Sequence, residues 1–224
     1  MIRSRLLGSF VVASLLCLAN VSLGAEPDPW KSVMETADRY MYGQGIPQDR
    51  GEAAKRYEKA CAAGVQDACS ELTEILYWGH PAVPKDQARA TELMKSLLPY
   101  LKAACSKGNP RACLRLGAAF ADGMGTEVDR ARAADLDRMA CDGGFIEGCF
   151  YLGVAYAKAR GVKEDHARAA AMYRRSCEAG YAAGCTELSE AHRLGKGVDL
   201  DLQRSDALKQ QACSLGMKSA CGEK

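Results

Sequence analysis

The sequence has few of the features that mark β-sheet proteins. Aromatic residues make up only 7% of it, and no stretch alternates β-branched with polar residues. Ala, Leu, Arg, Lys and Glu are abundant instead, and that composition favours helices. We therefore expect an all-α fold.

An excess of charge of either sign is also missing. Two of the 30 basic residues, Arg3 and Arg5, lie in an apolar N-terminal segment, which leaves 28 Lys and Arg against 28 Asp and Glu. A chain with this balance has no electrostatic reason to bind nucleic acid or an anionic membrane surface. No second long apolar run follows the first, so no membrane insertion is expected once that segment is removed.

The residues of common catalytic and cofactor sites are scarce. The three histidines, His80, His166 and His192, are far apart in the sequence, so we expect neither a metal site nor a cofactor. The S-x-x-K, S-D-N and K-T-G elements of serine acyl-transfer enzymes are absent after residue 24. No strand precedes the Gly-x-Gly sequences, which argues against a nucleotide-binding fingerprint. Catalytic residues therefore remain unknown.

The N-terminal segment is typical of a secretory signal peptide. Arg3 and Arg5 precede the apolar run LLGSFVVASLLCLA, and small residues end the segment at Gly24, before Ala25. Cys17 alone would suit lipidation, but Leu16 stands where a lipoprotein motif needs a small residue. We expect residues 1–24 to be removed and the rest, 25–224, to be secreted or periplasmic.

Cysteine is the exception to this pattern of scarcity. Ten cysteines follow the signal segment, and all of them fall in five C-x7-C pairs. In one continuous helix the two sulfurs of a pair would lie about 12 Å apart, beyond the Cα separation of about 7 Å that a disulfide allows. A Gly three residues after each first Cys predicts a turn between two helices, closed by a disulfide. The predicted disulfides are Cys61–Cys69, Cys105–Cys113, Cys141–Cys149, Cys177–Cys185 and Cys213–Cys221.

The pairs recur at intervals of 44, 36, 36 and 36 residues, which indicates a single solenoid of helical hairpins. The approximate units are 30–62, 63–106, 107–142, 143–178 and 179–214, followed by a C-terminal stub. In each unit a helix A follows the second Cys, and a helix B ends at the next first Cys. An Asp, such as Asp129 or Asp165, is placed to cap helix B. The longer interval adds seven residues to one helix B, which contains Pro99.

This pattern resembles the cysteine-rich Sel-1-like repeat proteins of the Hcp-type β-lactamase-like family. The core A-C-x-x-G-x-x-x-[AG]-C-x-x-L-G stands at Ala104–Gly117 and again at Ala140–Gly153, and the match covers residues 30–221. The resemblance implies a right-handed α/α superhelical solenoid with one disulfide for each hairpin, in an exported bacterial protein. It also implies that penicillin binding or weak β-lactam hydrolysis is an alternative function.

Protein or peptide binding in a concave groove is the favoured function, because stacked helical repeats generally bind partners on such a surface. Positions that differ between repeats at equivalent places are free to carry specificity. The residue before the core Leu and the one seven positions later give four candidate binding residues: Arg115, Asp122, Tyr151 and Lys158. A β-lactam or a peptidoglycan-derived small molecule is the alternative ligand.

Overall fold

The computed structural model describes residues 28–43 and 45–222. Within these residues the chain forms ten α-helices, a final 3-10 helix and no strand beyond one isolated bridge between His80 and Val83. The expected signal segment, residues 1–24, lies outside the described residues. The helices are α1 Pro29–Tyr42, α2 Arg50–Ala62, α3 Gln66–Trp78, α4 Gln87–Ser106, α5 Pro110–Asp122, α6 Arg130–Asp142, α7 Ile146–Ala157, α8 His166–Glu178, α9 Ala182–Leu194 and α10 Leu202–Ser214, and Lys218–Ala220 forms the 3-10 helix.

Each helix packs mainly against the helices before and after it, so the chain is an α/α solenoid. The A helices are α1, α3, α5, α7 and α9, and the B helices are α2, α4, α6, α8 and α10. Buried apolar side chains, mostly Ala and Leu, pack between the two layers in three clusters. Leu72, Leu116, Leu152 and Leu188 repeat at the same place in the A helices and are all buried.

Every B helix begins at an aspartate, as the spacing predicted. The side chains of Asp49, Asp86, Asp129, Asp165 and Asp201 each accept a hydrogen bond from the backbone N–H three residues later. This contact satisfies one of the unpaired donors at the start of a helix.

The expectation of one disulfide at each helix corner is confirmed. All five pairs are bonded, with Cα atoms 4.5 to 4.8 Å apart. Between Cys141 and Cys149 the chain leaves α6 and turns at Gly144, whose φ of +86° is costly for other residues, before α7 begins. The disulfide therefore fixes the angle between helices of successive units.

The last glycine of three turns that follow an A helix packs closely on the preceding B helix: Gly125, Gly161 and Gly197. At Gly161 an added Cβ would lie 2.0 Å from the carbonyl oxygen of Arg130, at the start of α6. The same contact recurs at Gly197, 2.0 Å from the carbonyl oxygen of His166. Only glycine allows these turns to pack on the preceding B helix.

The long interval between the first two cysteine pairs lengthens α4 to 20 residues, whereas the other B helices have 13. Pro99 lies inside α4, and Leu97 and Leu101 on either side of it remain buried. The predicted insertion in helix B is confirmed. It keeps the apolar face of the helix because seven residues are close to two helical turns.

Candidate functional site

The A helices turn one polar face toward the inside of the solenoid. On α5 this face carries Arg111, Arg115 and Asp122, which follow the helical repeat. Arg111 reaches Asp38 of α1, with Nη2 2.9 Å from Oδ2, although α3 lies between the two helices in the chain. Side chains two units apart can meet only on the inner side of a curve. We call this surface the A-helix face.

A buried ion-pair network occupies the front of the A-helix face, which is the part on α1, α3 and α5. Glu71 of α3 has no exposed surface, and Arg115 is 6% exposed. Arg115 donates from Nε to Glu71 Oε1 at 3.0 Å and from Nη2 to Oε2 at 2.5 Å. It also pairs with Glu74 and donates to the hydroxyl of Tyr42 at 3.3 Å. A two-point contact of this kind holds both side chains in one orientation.

A second contact group, around Asp38, continues the network. Its carboxylate accepts hydrogen bonds from Arg111 and, at 2.7 Å, from the hydroxyl of Tyr57. The guanidinium of Arg111 also lies 5.5 Å from the centre of the Phe145 ring, an attractive cation–π distance. The network thus links α1, α2, α3, α5 and the turn before α7.

Burial shapes the ionisation of these groups. It opposes the charge on Arg115, but the nearby carboxylate of Glu71 prevails, and the net effect raises the pKa of Arg115. Burial and then Glu71 raise the pKa of the Tyr42 phenol, so this hydroxyl keeps its proton and can donate a hydrogen bond. The pKa of Arg111 is raised as well, with Glu71 and Asp38 opposing the effect of burial. Arg111 and Arg115 are therefore charged and Tyr42 is neutral at physiological pH.

The rear of the A-helix face has no such network. Glu147 of α7 is half-buried and has no ion-pair partner within 4 Å among the described residues. Burial raises the pKa of Glu147, although Arg115 and Arg111 oppose the shift. Tyr151, one turn further along α7, is 41% exposed. The rings of Tyr151 and Tyr181 each lie 5.3 Å from that of Phe150. Burial raises the pKa of both phenols, and the carboxylate of Glu147 adds to both shifts.

The four predicted binding residues have different surroundings. Arg115 is committed to the buried network, whereas Tyr151 and Lys158 are exposed on α7 and at its end. Burial raises the pKa of the Tyr151 phenol, although the positive charge of Arg115 opposes the shift. Asp122 ends α5; burial raises the pKa of its carboxyl group, and its backbone carbonyl accepts from the hydroxyl of Tyr77 at 3.5 Å. A binding role for the four stays a prediction.

Asp38, Arg111 and Glu147 are site residues that were not predicted from the sequence. Arg111 and Glu147 lie four residues before Arg115 and Tyr151, which puts each of them on the same face of its helix. That helical spacing was the signal that could have found them. The partnership with Asp38 was not visible, because the two residues are 73 positions apart.

Two further observations bear on the class of site. No helix among residues 28–43 and 45–222 is long and apolar enough to cross a membrane. In the same part of the chain, no three His, Cys, Asp or Glu side chains are grouped as a metal ion would require.

The Sel1 repeat model matches the chain five times, at residues 31–65, 66–96, 110–145, 146–181 and 182–217. Since these matches cover most of the chain, the protein belongs to the Sel1 repeat family. Its fold is the right-handed α/α solenoid, with one disulfide at each corner. No curated protein matches the chain.

Solved structures similar to this one come from several bacteria. A protective antigen of uropathogenic Escherichia coli with an SLR fold is 27% identical over 85% of this chain and 39% of the antigen, with a TM-score of 0.54. A Sel1 repeat protein from Oxalobacter formigenes is 21% identical over 85% of this chain and 73% of that one, with a TM-score of 0.58. Cysteine rich protein B of Helicobacter pylori is 26% identical over 59% of this chain and 95% of that protein, with a TM-score of 0.48. The chain spans well under half the length of the E. coli antigen.

Proposed function

We propose that this protein is an exported scaffold whose A-helix face binds an extended peptide segment of a partner protein. The observation that carries the proposal is the contrast within that face between a fixed network and an unpaired carboxylate. Arg115 and Glu71 hold α3 and α5 together, and the neighbouring Glu147 has no cation of its own. A face built in this way is rigid and still has an unused charge.

The chemistry of the rear of the face favours a basic side chain from the partner. Glu147 would pair with a Lys or Arg, and the exposed ring of Tyr151 would pack against its methylene groups. Tyr181 encloses the site from the next unit. Lys158 and Asp122, further along their helices, would contact polar groups of the same segment and set its direction.

Export is part of the proposal because five disulfides need an oxidising environment. A secreted or periplasmic location supplies that environment, and the sequence of residues 1–24 is consistent with it. In that location the disulfides keep the A helices at fixed angles, so the binding face does not depend on the partner for its shape.

The alternative function, β-lactam binding or hydrolysis, has no observation in its favour. The buried Arg115 and Tyr42 are engaged with Glu71, and neither stands beside a serine that could act as a nucleophile in the contacts described above. We therefore propose only the scaffold function.

Selection from a displayed random peptide library on the oxidised protein tests the proposal. We expect enriched peptides to carry a Lys or Arg at one fixed position. Binding of those peptides, measured by fluorescence polarisation, should fall about tenfold or more in Glu147→Gln and Tyr151→Ala, since a hydrogen-bonded charge is worth about 1.5–3 kcal/mol. Glu178→Gln, a change of the same type on the exposed end of α8, is the matched control.

Two results would contradict the proposal. If no peptide is enriched over a library panned on the reduced protein, the A-helix face is not a peptide site. If peptides are enriched but bind Glu147→Gln as tightly as the unaltered protein, the face binds peptides without the basic residue. Saturable nitrocefin turnover by the purified protein would support the β-lactam alternative instead.

A further inference from the structure

A cavity of about 220 Å³ lies on the other side of the solenoid, between two B helices. Arg138 and Asp142 of α6 line one wall, and Arg168 and Arg175 of α8 line the other. Leu152 and Tyr156 of α7 lie between these walls. Three guanidinium groups therefore share the cavity with a single carboxylate, and this site is separate from the A-helix face.

The equivalent place between α2 and α4 is built differently. Glu58 and Arg138 both lie three residues before the first Cys of a pair, and Arg89 and Arg168 both lie three residues after the capping Asp. Glu58 and Arg89 form an ion pair across the groove between α2 and α4. Between α6 and α8 an arginine replaces the glutamate, so like charges line the two walls of the same cavity.

Carboxylates near these arginines engage only some of the N–H donors of each guanidinium group. Arg138 pairs with Asp135 at 2.8 Å and Arg168 with Asp165 at 3.2 Å, each within its own helix. Arg175 lies 3.6 Å from Asp142 and donates to the carbonyl oxygen of Cys141 at 2.9 Å. A guanidinium has five N–H donors, so each arginine can still bind an anion with the rest.

The remaining wall of the cavity suits an organic group attached to such an anion. The guanidinium of Arg168 lies 5.6 Å from the centre of the Tyr156 ring. Tyr156 and Arg138 line the same cavity, and hydrogen bonding to Asp135 raises the pKa of Arg138. Leu152 and Met172 add apolar surface.

We propose that this cavity binds the phosphate group of an organic phosphate. Arg138 and Arg168 would grip the phosphate oxygens from opposite walls, in the paired geometry that guanidinium groups form with phosphate. Tyr156 would donate its hydroxyl to a third oxygen, and the carbon skeleton would pack on Met172. The bound phosphate dianion would supply the negative charge that Glu58 provides in the groove between α2 and α4.

Calorimetric titration of the oxidised protein with glucose 6-phosphate tests the site, with inorganic phosphate and glucose as separate probes. We expect glucose 6-phosphate to bind more tightly than inorganic phosphate and glucose not to bind. Arg138→Glu should weaken binding at least about tenfold, since hydrogen bonds to charged groups contribute about 1.5–3 kcal/mol each. The same variant should keep or raise the melting temperature, because it recreates the Glu58–Arg89 arrangement.

Arg132→Glu is the matched control, because Arg132 occupies the same helical position in α6 as Arg168 in α8 but lies over Phe120, outside the cavity. It should change affinity less than about twofold, as expected for a surface charge. Equal losses in Arg132→Glu and Arg138→Glu would mean nonspecific attraction and would overturn the proposal, as would no binding of either phosphate. Vesicles containing phosphatidylglycerol distinguish a lipid source: binding to them that glucose 6-phosphate displaces supports a lipid headgroup as the phosphate.

Discussion

The front of the solenoid, α1–α5, and its rear, α6–α10, use polar side chains in different ways. In the front, polar groups of different helices pair with one another, as in Asp38–Arg111 and Glu71–Arg115. In the rear, Arg138 and Arg168 pair with carboxylates three residues earlier in the chain, and the pair that joins α8 to α6, Arg175–Asp142, is exposed and 3.6 Å long. The repeats share one helical-hairpin plan apart from the longer α4, and their side chains differ at equivalent positions.

One pair of equivalent positions shows how small the change in sequence is. Tyr57 and Tyr173 both lie four residues before the first Cys of a pair, and both are buried. The hydroxyl of Tyr57 donates to Asp38, whereas that of Tyr173 has no hydrogen-bond partner among the described residues. Val154 stands in the rear where Asp38 stands in the front. The front thus uses its polar groups for stability, and the rear has polar groups that a ligand could use.

Removing Arg115 should have the largest effect on stability. Arg115→Met leaves Glu71 buried and without its main partner, so we expect a loss of about 3–5 kcal/mol in the free energy of unfolding. In the rear, Arg138→Met breaks an exposed pair and should cost less than about 1 kcal/mol. Urea denaturation of the oxidised variants measures both.

The double variant Glu71→Leu/Arg115→Met is the control for this prediction. It removes both buried charges, so it should be more stable than Arg115→Met alone. If the single and double variants are equally unstable, the loss of stability comes from packing and not from the unpaired charge of Glu71. The ion-pair network would then not be what distinguishes the front from the rear.

Asp137 should make the rear sensitive to pH. This carboxyl group of α6 is 9% exposed, lies against Gly117 of α5 and has no ion-pair partner among the described residues, and burial raises its pKa from 3.8 to about 7. The folded protein therefore holds a proton that the unfolded chain releases, so stability falls as pH rises from about 4 to about 7. The shift corresponds to at most about 4 kcal/mol at pH 8.

Asp137→Asn should remove this dependence, because an amide does not ionise. We expect the variant to gain stability over the unaltered protein at pH 8 and to match it near pH 4, in urea denaturation across that range. Asp135→Asn, on the exposed side of the same helix, should leave the pH profile unchanged. A profile that is the same for Asp137→Asn and the unaltered protein would mean that Asp137 finds a partner in solution.

The disulfides should contribute equally to the two parts of the molecule. Each closes a loop of the same length, and the chain-entropy model gives about 2.6 kcal/mol for nine residues. Replacing Cys105 and Cys113 by Ser in the front, or Cys177 and Cys185 in the rear, should thus lower the free energy of unfolding by similar amounts. A much larger loss in the rear would show that it depends on its disulfides because it lacks the ion-pair network.

The sequence was a good guide to the fold and a poor one to the candidate site, for a physical reason. Cys141, Gly144 and Asp129 have equivalents in the other repeats, and each acts on residues close to it in the chain. The site depends on contacts such as Asp38–Arg111, which join helices two units apart. These contacts depend on how strongly the solenoid curves, and no single repeat contains that information.

The two tyrosines should give the smallest effects and the most direct test of the comparison. Tyr57→Phe removes a hydrogen bond to a charged partner and should cost about 1.5 kcal/mol. Tyr173→Phe removes a buried hydroxyl that has no partner among the described residues, so it should cost nothing or gain up to about 1 kcal/mol. Both changes remove one oxygen at equivalent positions, so urea denaturation of the two variants side by side isolates the effect of the hydrogen-bond partner.

Adding Val154→Asp to the rear should make Tyr173 behave like Tyr57. If Tyr173→Phe still costs nothing in that background, the residue at position 154 does not explain the difference between front and rear.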